Sequence, residues 1–491
     1  MALDAHLVRS VERGSSGVGQ MRRAAGARRC GLRVTLFMAV AIPLTLATSL
    51  ASAETLREAL AKAYTSNPTL LAQRAQQRAT DENVPQALSG WRPTVVASGN
   101  YGYTDVRTKI RGPAAAGGGI TTSSRDPGQF NIQLQQPIFS GFQTINQTRR
   151  AEAQVRQARG ALATTEQQVL FSAVQAYMFV IRDRRILDLR RKNVQALQEE
   201  LRSAQARFEV GDNTRTDVAQ SQARLAQAQS DLTTAEANLA ISVGQYIQII
   251  GQAPGSLVFP DTANHLLPKS IDGAIELAEL NNPNVITAEF NEKQQGFQVD
   301  VLIGNLLPNA NLVAGYNYGA NQQDSVAWSE SFTVLGEVNV PIYQGGGEYA
   351  AVRQAKQLRN QARVQIAETR RSVREAVVRA WNAVVAARDT ISSAQEAVRA
   401  QRLAYEGVRL EAQAGTRTTL DVLNAEQELF QAQVSLVEAE VNTVVASYQL
   451  LQAVGRLNAI DLKLPVQIYD PTIYYNKVRD LWFGLKTPSP E

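Results

Sequence analysis

The sequence predicts an internally duplicated protein, two copies of a strand–strand–helix–helix unit. Its four strands belong to a membrane β-barrel, and its helices form long antiparallel coiled-coil hairpins. Three observations predict this. The chain repeats itself at a nearly fixed offset, it carries proline-free helical runs too long for a globular domain, and its strand-like runs alternate apolar with polar residues.

Residues 1–53 come first and differ from the rest. An Arg-rich, polar stretch over residues 1–33 leads into the apolar run Val34–Ala47 and the exit Ala51-Ser52-Ala53. A basic start, a short apolar centre and Ala-x-Ala mark a secretory signal peptide. The true start is Met1 or Met21. The apolar run is short for a membrane span and contains Pro43, which argues against a retained anchor. The mature chain is expected to begin at Glu54.

Self-comparison then defines the repeat. Asn67-Pro68 recurs as Asn282-Pro283, and Tyr101-Gly102-Tyr103 as Tyr316-Asn317-Tyr318, both 215 residues on. Later matches fall 204 residues apart, as in Gln136-Pro137-Ile138-Phe139-Ser140-Gly141 against Val340-Pro341-Ile342-Tyr343-Gln344-Gly345. The shift arises where the first copy carries an extra Gly/Ala/Pro-rich loop, Gly112–Gly119, an insertion that an exposed connection tolerates. The first repeat spans 54–260, with strands near 93–106 and 128–139 and long helices near 141–210 and 214–251. The second spans 261–465, with strands near 309–320 and 330–343 and helices near 345–414 and 418–455. Residues 466–491 form a C-terminal tail.

No proline occurs between Pro137 and Pro254 or between Pro341 and Pro465. Proline is excluded from helix interiors, because it lacks an N–H and clashes with the preceding turn. A run of ~70 residues at ~1.5 Å each reaches about 100 Å. Apolar residues recur by sevens: Val180, Leu187, Val194, Leu201 and Phe208, then Val218, Leu225, Leu232, Leu239 and Tyr246. The second copy repeats the seam from Val384 to Tyr405 and from Val422 to Leu450. Such a seam keeps one face against a partner helix. Each copy therefore folds back at a tip, Gly211 or Gly415.

In the strands, Phe130, Ile132 and Leu134 alternate with Asn131, Gln133 and Gln135, and Phe332, Val334 and Val338 with Thr333, Glu337 and Asn339. Period two gives one apolar and one polar face, as in a half-buried sheet or in a barrel wall with lipid outside and water inside. Open edges are forbidden in lipid, and four strands cannot close. Two chains would give eight strands and three would give twelve.

Composition excludes other classes. The leader holds seven arginines and two acids, leaving 43 basic and 43 acidic residues, so the mature chain is neutral and has no footprint for nucleic acid. Cys30 lies in the leader and His265 is the one mature histidine. That inventory offers no disulfide framework, Cys/His zinc site or Cys–His dyad, and no Gly-x-Ser-x-Gly accompanies His265. No enzyme and no cofactor is expected.

The duplicated unit, its Asn-Pro openings, Pro341-Ile342-Tyr343-Gln344-Gly345-Gly346 and the second tip Gly415-Thr416-Arg417-Thr418-Thr419-Leu420-Asp421-Val422-Leu423-Asn424-Ala425 resemble the TolC family of outer-membrane channel proteins. The resemblance covers Glu54 to Pro465. It implies a homotrimer with a twelve-stranded barrel in outer-membrane lipid, above a helical tunnel in the periplasm of a Gram-negative bacterium. It also implies a periplasmic adaptor and an inner-membrane pump as partners, in drug efflux or type I secretion. A periplasmic coiled-coil adaptor is the alternative reading.

The resemblance places a periplasmic gate just after the tips. Asp421 takes the first acidic ring position, and Asn424 stands where a second acid is common. Arg417 maps to a latch across a protomer boundary, with Thr216 and Asp217 as acceptors, while Ala412 replaces the family's supplementary tyrosine. Adaptor docking maps to Val210, Gly211 and Asp212 on one tip and to Gly415 and Thr416 on the other. Thr214-x-x-Asp217 and Thr418-x-x-Asp421 also fit capping boxes, a local role compatible with gating.

Overall fold

The computed structural model describes residues 53–111, 119–212 and 214–489. The leader expected over 1–53 lies outside the described residues apart from Ala53, as does the Gly112–Gly119 loop apart from Gly119. Among the described residues no helix is long and apolar enough to cross a membrane.

The first repeat runs α1 (Leu56–Ser66), α2 (Pro68–Asp81), α3 (Asn83–Leu88), β1 (Thr94–Tyr101), β2 (Thr104–Ile110), β3 (Gly119–Arg125), β4 (Gly128–Ser140), α4 (Gln143–Glu209) and α5 (Arg215–Ile250). The second runs α6 (Ile271–Asn281), α7 (Pro283–Gly304), β5 (Asn309–Gln323), β6 (Val326–Asn339), α8 (Gly347–Gln413) and α9 (Thr419–Val454), and α10 (Pro471–Val478) follows. The duplication is metrical. Helices α4 and α8 each have 67 residues, and α5 and α9 each have 36.

The antiparallel sheet has the order β1-β4-β5-β6. Directly opposed residues share a face, so the register sorts the side chains into rows. The row Ala97–Ile132–Tyr316–Phe332 is apolar, and its neighbour Ser98–Asn131–Asn317–Ser331 is polar. Among the described residues nothing covers the apolar face: Phe332 is 74% and Val338 69% exposed. β1 and β6 each keep one unpaired edge.

The sequence pattern suggested a single strand near 93–106. The first hairpin instead breaks at Gly102-Tyr103 and resumes as a separate β2–β3 ribbon, which the pattern did not reveal. Pro127 opposite the break has no N–H for the ladder, and its carbonyl accepts from Gly102 N–H at 3.1 Å.

The Asn-Pro motifs join helices end to end. Asn67 Oδ1 accepts from the N–H groups of Thr69 and Leu70 to cap α2, and its Nδ2 donates at 2.9 Å to Ile249 O in the last turn of α5. Asn282 Oδ1 likewise accepts from Asn284 N–H to cap α7, and its Nδ2 donates to Ala453 O of α9 at 2.9 Å. One amide thus satisfies orphan groups on two helix ends.

The hairpin seams follow the sequence reading in part: Val180, Leu187, Val194, Tyr246, Val384, Val422 and Leu450 are buried as expected, while other positions differ. The fully buried heptad on α5 is Ser221, Ala228, Ala235 and Ser242, with Leu225, Leu232 and Leu239 only half-buried beside it. Small residues occupy the line of closest approach, and the leucines flank it. Phe208, expected in the α4 seam, is exposed. The main core lies where α1, mid-α4 and the ends of α5 and α9 meet, around Leu60, Leu170, Tyr177, Tyr246 and Leu451.

Candidate functional site

The tips are built by backbone demands. At both, a glycine takes a left-handed conformation, with φ of +88° at Gly211 and +79° at Gly415. The next N–H turns back to the helix, Asp212 to Arg207 O at 2.8 Å and Thr416 to Glu411 O at 3.0 Å. This is the Schellman ending, which glycine makes without strain. A Cβ at either glycine would meet nothing within 4 Å, and Val210 is exposed, so the tips present open surface.

The return helices open on capping boxes. Thr418 Oγ1 accepts from Asp421 N–H at 3.2 Å, and Asp421 Oδ2 accepts from Thr418 N–H at 3.0 Å. Thr214 and Asp217 repeat the arrangement at 3.3 and 2.9 Å. The N–H and hydroxyl of Thr418 hold the Asp421 carboxyl below the usual aspartate range. Both sequence-singled acids therefore have a structural role within one chain.

Arg417 does not reach Thr216 or Asp217 of its own chain. Its Nε donates to Glu411 Oε2 at 2.8 Å, between side chains that are about half exposed. Such a pair is readily exchanged. Arg417 and Asp217 nevertheless line one cleft of about 590 Å³ between the two tips, together with Glu200, Arg207, Asp212 and Arg409.

Near the tips the two hairpins are joined one to three turns further along α9. Leu423, only 2% exposed, packs with Val194 and Leu197 of α4 and Ala228 of α5. Arg224 on α5 donates to Asn424 Oδ1 at 3.1 Å. The Arg190 guanidinium of α4 sits 4.5 Å from the centre of the Phe430 ring, and Arg190 also pairs with Asp231 at 2.6 Å. Asn424 is thus engaged in tying α5 to α9. Arg224, Leu423 and Phe430 carried no signal that set them apart from ordinary helix-face residues.

Glu426 completes this contact. Burial, and then the charge of Glu200 on α4, push its carboxyl up to about 7. Tyr405 of α8 is coupled to the same two acids and to Arg409, while Arg224 and Asp231 share a small cavity with Glu426. A raised carboxyl pKa means the folded state holds a proton that the unfolded chain has released. The contribution is therefore fully present below about pH 4.5 and is lost as the pH rises through about 7. Glu426→Gln is expected to raise the melting temperature at pH 8 by about 2–6 °C and to change little at pH 4.5. Thermal unfolding of both proteins in detergent across that range checks it, and a pH-independent gap would contradict it.

Sequence and fold comparisons bear on this arrangement. The profile of the family described as outer membrane efflux protein matches residues 59–252 and 274–456. The chain is 39% identical over 443 residues to outer membrane efflux protein BepC of Brucella suis biovar 1, covering 89% of this chain and 93% of that protein. To outer membrane protein TolC of Vibrio cholerae it is 27% identical over 418 residues, covering 84% and 92%. The crystal structure of the Campylobacter jejuni CmeC outer membrane channel superposes with a TM-score of 0.73 at 17% identity, over 87% of this chain and 89% of that one.

Proposed function

Because the chain belongs to the outer membrane efflux protein family, we propose that it is the outer-membrane exit duct of a tripartite efflux or type I secretion system. It is a passive conduit from periplasm to exterior in a Gram-negative bacterium, opened by a periplasmic adaptor and an inner-membrane pump. The observation that carries this reading is the sheet: two open edges and an apolar face that nothing among the described residues covers. In lipid such a sheet is stable only when its edges are paired. Three copies supply twelve strands, β1 of one meeting β6 of the next, with outer-membrane lipid against the apolar rows. An adaptor in the periplasm would have no use for that face, so the adaptor alternative is not favoured.

Six hairpins from three copies then surround a tunnel. Asp421 recurs as a ring near its periplasmic end, and Asn424, neutral and tied to Arg224, halves the formal charge there. Arg417 exchanges its exposed Glu411 partner for Thr216 and Asp217 of the adjoining copy to latch the closed state. The tip residues Val210, Gly211, Asp212, Gly415 and Thr416 meet the adaptor, which opens the duct by binding the open arrangement better. No step requires catalysis or a cofactor.

Asp421→Ala tests the gate. In planar bilayers it is expected to raise single-channel conductance and to weaken block by divalent cations applied from the periplasmic side. Unchanged conductance and block would remove Asp421 from the constriction.

A further inference from the structure

The C-terminal tail carries an apolar cluster that neither the fold nor the gate uses. α10 packs on α2, with Tyr474 donating to Glu82 at 2.7 Å, and the chain beyond it lies beside α2 and Pro85 of α3 and reaches the foot of the sheet. There Arg92 Nη1 donates to Leu481 O at 2.7 Å, and the Arg92 guanidinium lies 4.9 Å from the centre of the Trp482 ring. Arg92 is two residues before β1, and the preceding residue, Trp91, is fixed to β4 by Gln136 Nε2 at 2.9 Å. This arrangement sets the level of Trp482, at the strand ends on the helical side.

At that level the side chains turn outward. Trp482 is 62% and Phe483 88% exposed, and Leu485 is fully exposed. The strand–helix junctions of both repeats add exposed Phe142, Ile342 and Tyr343. The tail is neutral overall, with Lys477, Arg479 and Lys486 against Asp470, Asp480 and Glu491, and Arg479 pairs with Glu152 at 3.8 Å. Aromatic residues whose apolar bodies and polar tips meet both phases collect at bilayer interfaces.

We propose that Trp482-Phe483-Gly484-Leu485 is a membrane-interface anchor, docking the tail into the periplasmic leaflet of phospholipid at the foot of the barrel. The inference rests on the barrel reading above. It explains why a strap from the core extends to Arg92 and why its most apolar residues face away from the protein. Continuity with the strand ends and with the exposed aromatics of the strand–helix junctions favours a lipid surface over a second copy of the chain, which would cover the same residues.

The test uses the full chain with Cys30→Ser, which has no other cysteine. Phe483→Cys, Val338→Cys and Val210→Cys are made singly, labelled with a nitroxide and reconstituted into phosphatidylethanolamine/phosphatidylglycerol vesicles. Collision with lipid-soluble oxygen is compared with collision with a water-soluble nickel chelate. At Phe483→Cys oxygen is expected to dominate, as at the barrel position Val338→Cys, with the order reversed at the tip position Val210→Cys. A Phe483→Cys label that behaves like the tip, or is shielded from both reagents by protein, overturns the anchor while Val338→Cys still reports lipid. A Val338→Cys label in water overturns the barrel reading and the anchor with it.

Discussion

Replacing Gly455 with alanine is expected to destabilise the protein by about 2–5 kcal/mol, whereas the same change at its repeat counterpart Gly251 costs about 1–2 kcal/mol. Both glycines end a long helix with left-handed backbone, φ +85° at Gly455 and +91° at Gly251, so both alanines carry the same conformational strain. Their surroundings differ. A Cβ at Gly455 would stand 2.8 Å from Asn281 O and 2.9 Å from Asn282 Cα, backbone atoms that cannot rotate aside. At Gly251 the nearest atom is the hydroxyl of Ser66, 3.4 Å away. The closer fit follows from the helix ending. At Gly455 the next residue, Arg456, bonds back to Leu451 O at 2.9 Å and draws the chain over the Asn282 junction, while Gly251 makes only the single bond to Ile247 O. Urea unfolding of the two variants in detergent measures the difference. Equal losses would show that the junction to α7 exerts no steric constraint.

Leu423→Asp is expected to make cells permeable to large antibiotics that the outer membrane otherwise excludes. The carboxylate would enter a site lined by Val194, Leu197 and Ala228, where the cation that lines the same cavity, Arg224, already donates to Asn424. Burying such a charge unpaired costs several kcal/mol, against about 2–5 kcal/mol for the cavity left by Leu423→Ala. The free energy is lost where α9 meets the first hairpin, far from the core around Tyr177 and Tyr246, so the protein still folds and reaches the membrane while its periplasmic end loosens. Susceptibility to a bulky glycopeptide should rise most for Leu423→Asp and less for Leu423→Ala. Normal resistance with normal amounts of Leu423→Asp in the membrane would mean that this contact does not hold the entrance closed.

The parts of the fold legible in the sequence were those governed by local rules. Proline exclusion marked α4, α5, α8 and α9, and the two offsets marked the duplication. Capping boxes at Thr214 and Thr418 could be read because their partners lie three residues on. The seam could be read only to its period. Leucines dominate a hydrophobic pattern, yet on α5 the heptad buried most fully is Ser221, Ala228, Ala235 and Ser242, with Leu225 and Leu232 packed beside it. Asn67 and Asn282 looked like helix ends, and their second bonds, to carbonyls 182 and 171 residues away, have no local signature. The site was split in the same way. Asp421 and Arg417 stood out by their place after a tip, whereas Arg224–Asn424, Leu423 and the Glu200–Glu426 pair exist only because one hairpin lies on the other.

The central claim is that one chain supplies only a third of a closed wall. Native mass spectrometry of the protein extracted from outer membranes in mild detergent measures this directly. The expected result is a complex with the mass of three processed chains that falls to one chain on boiling. A single chain that stays soluble without detergent, its apolar rows facing water, would contradict it.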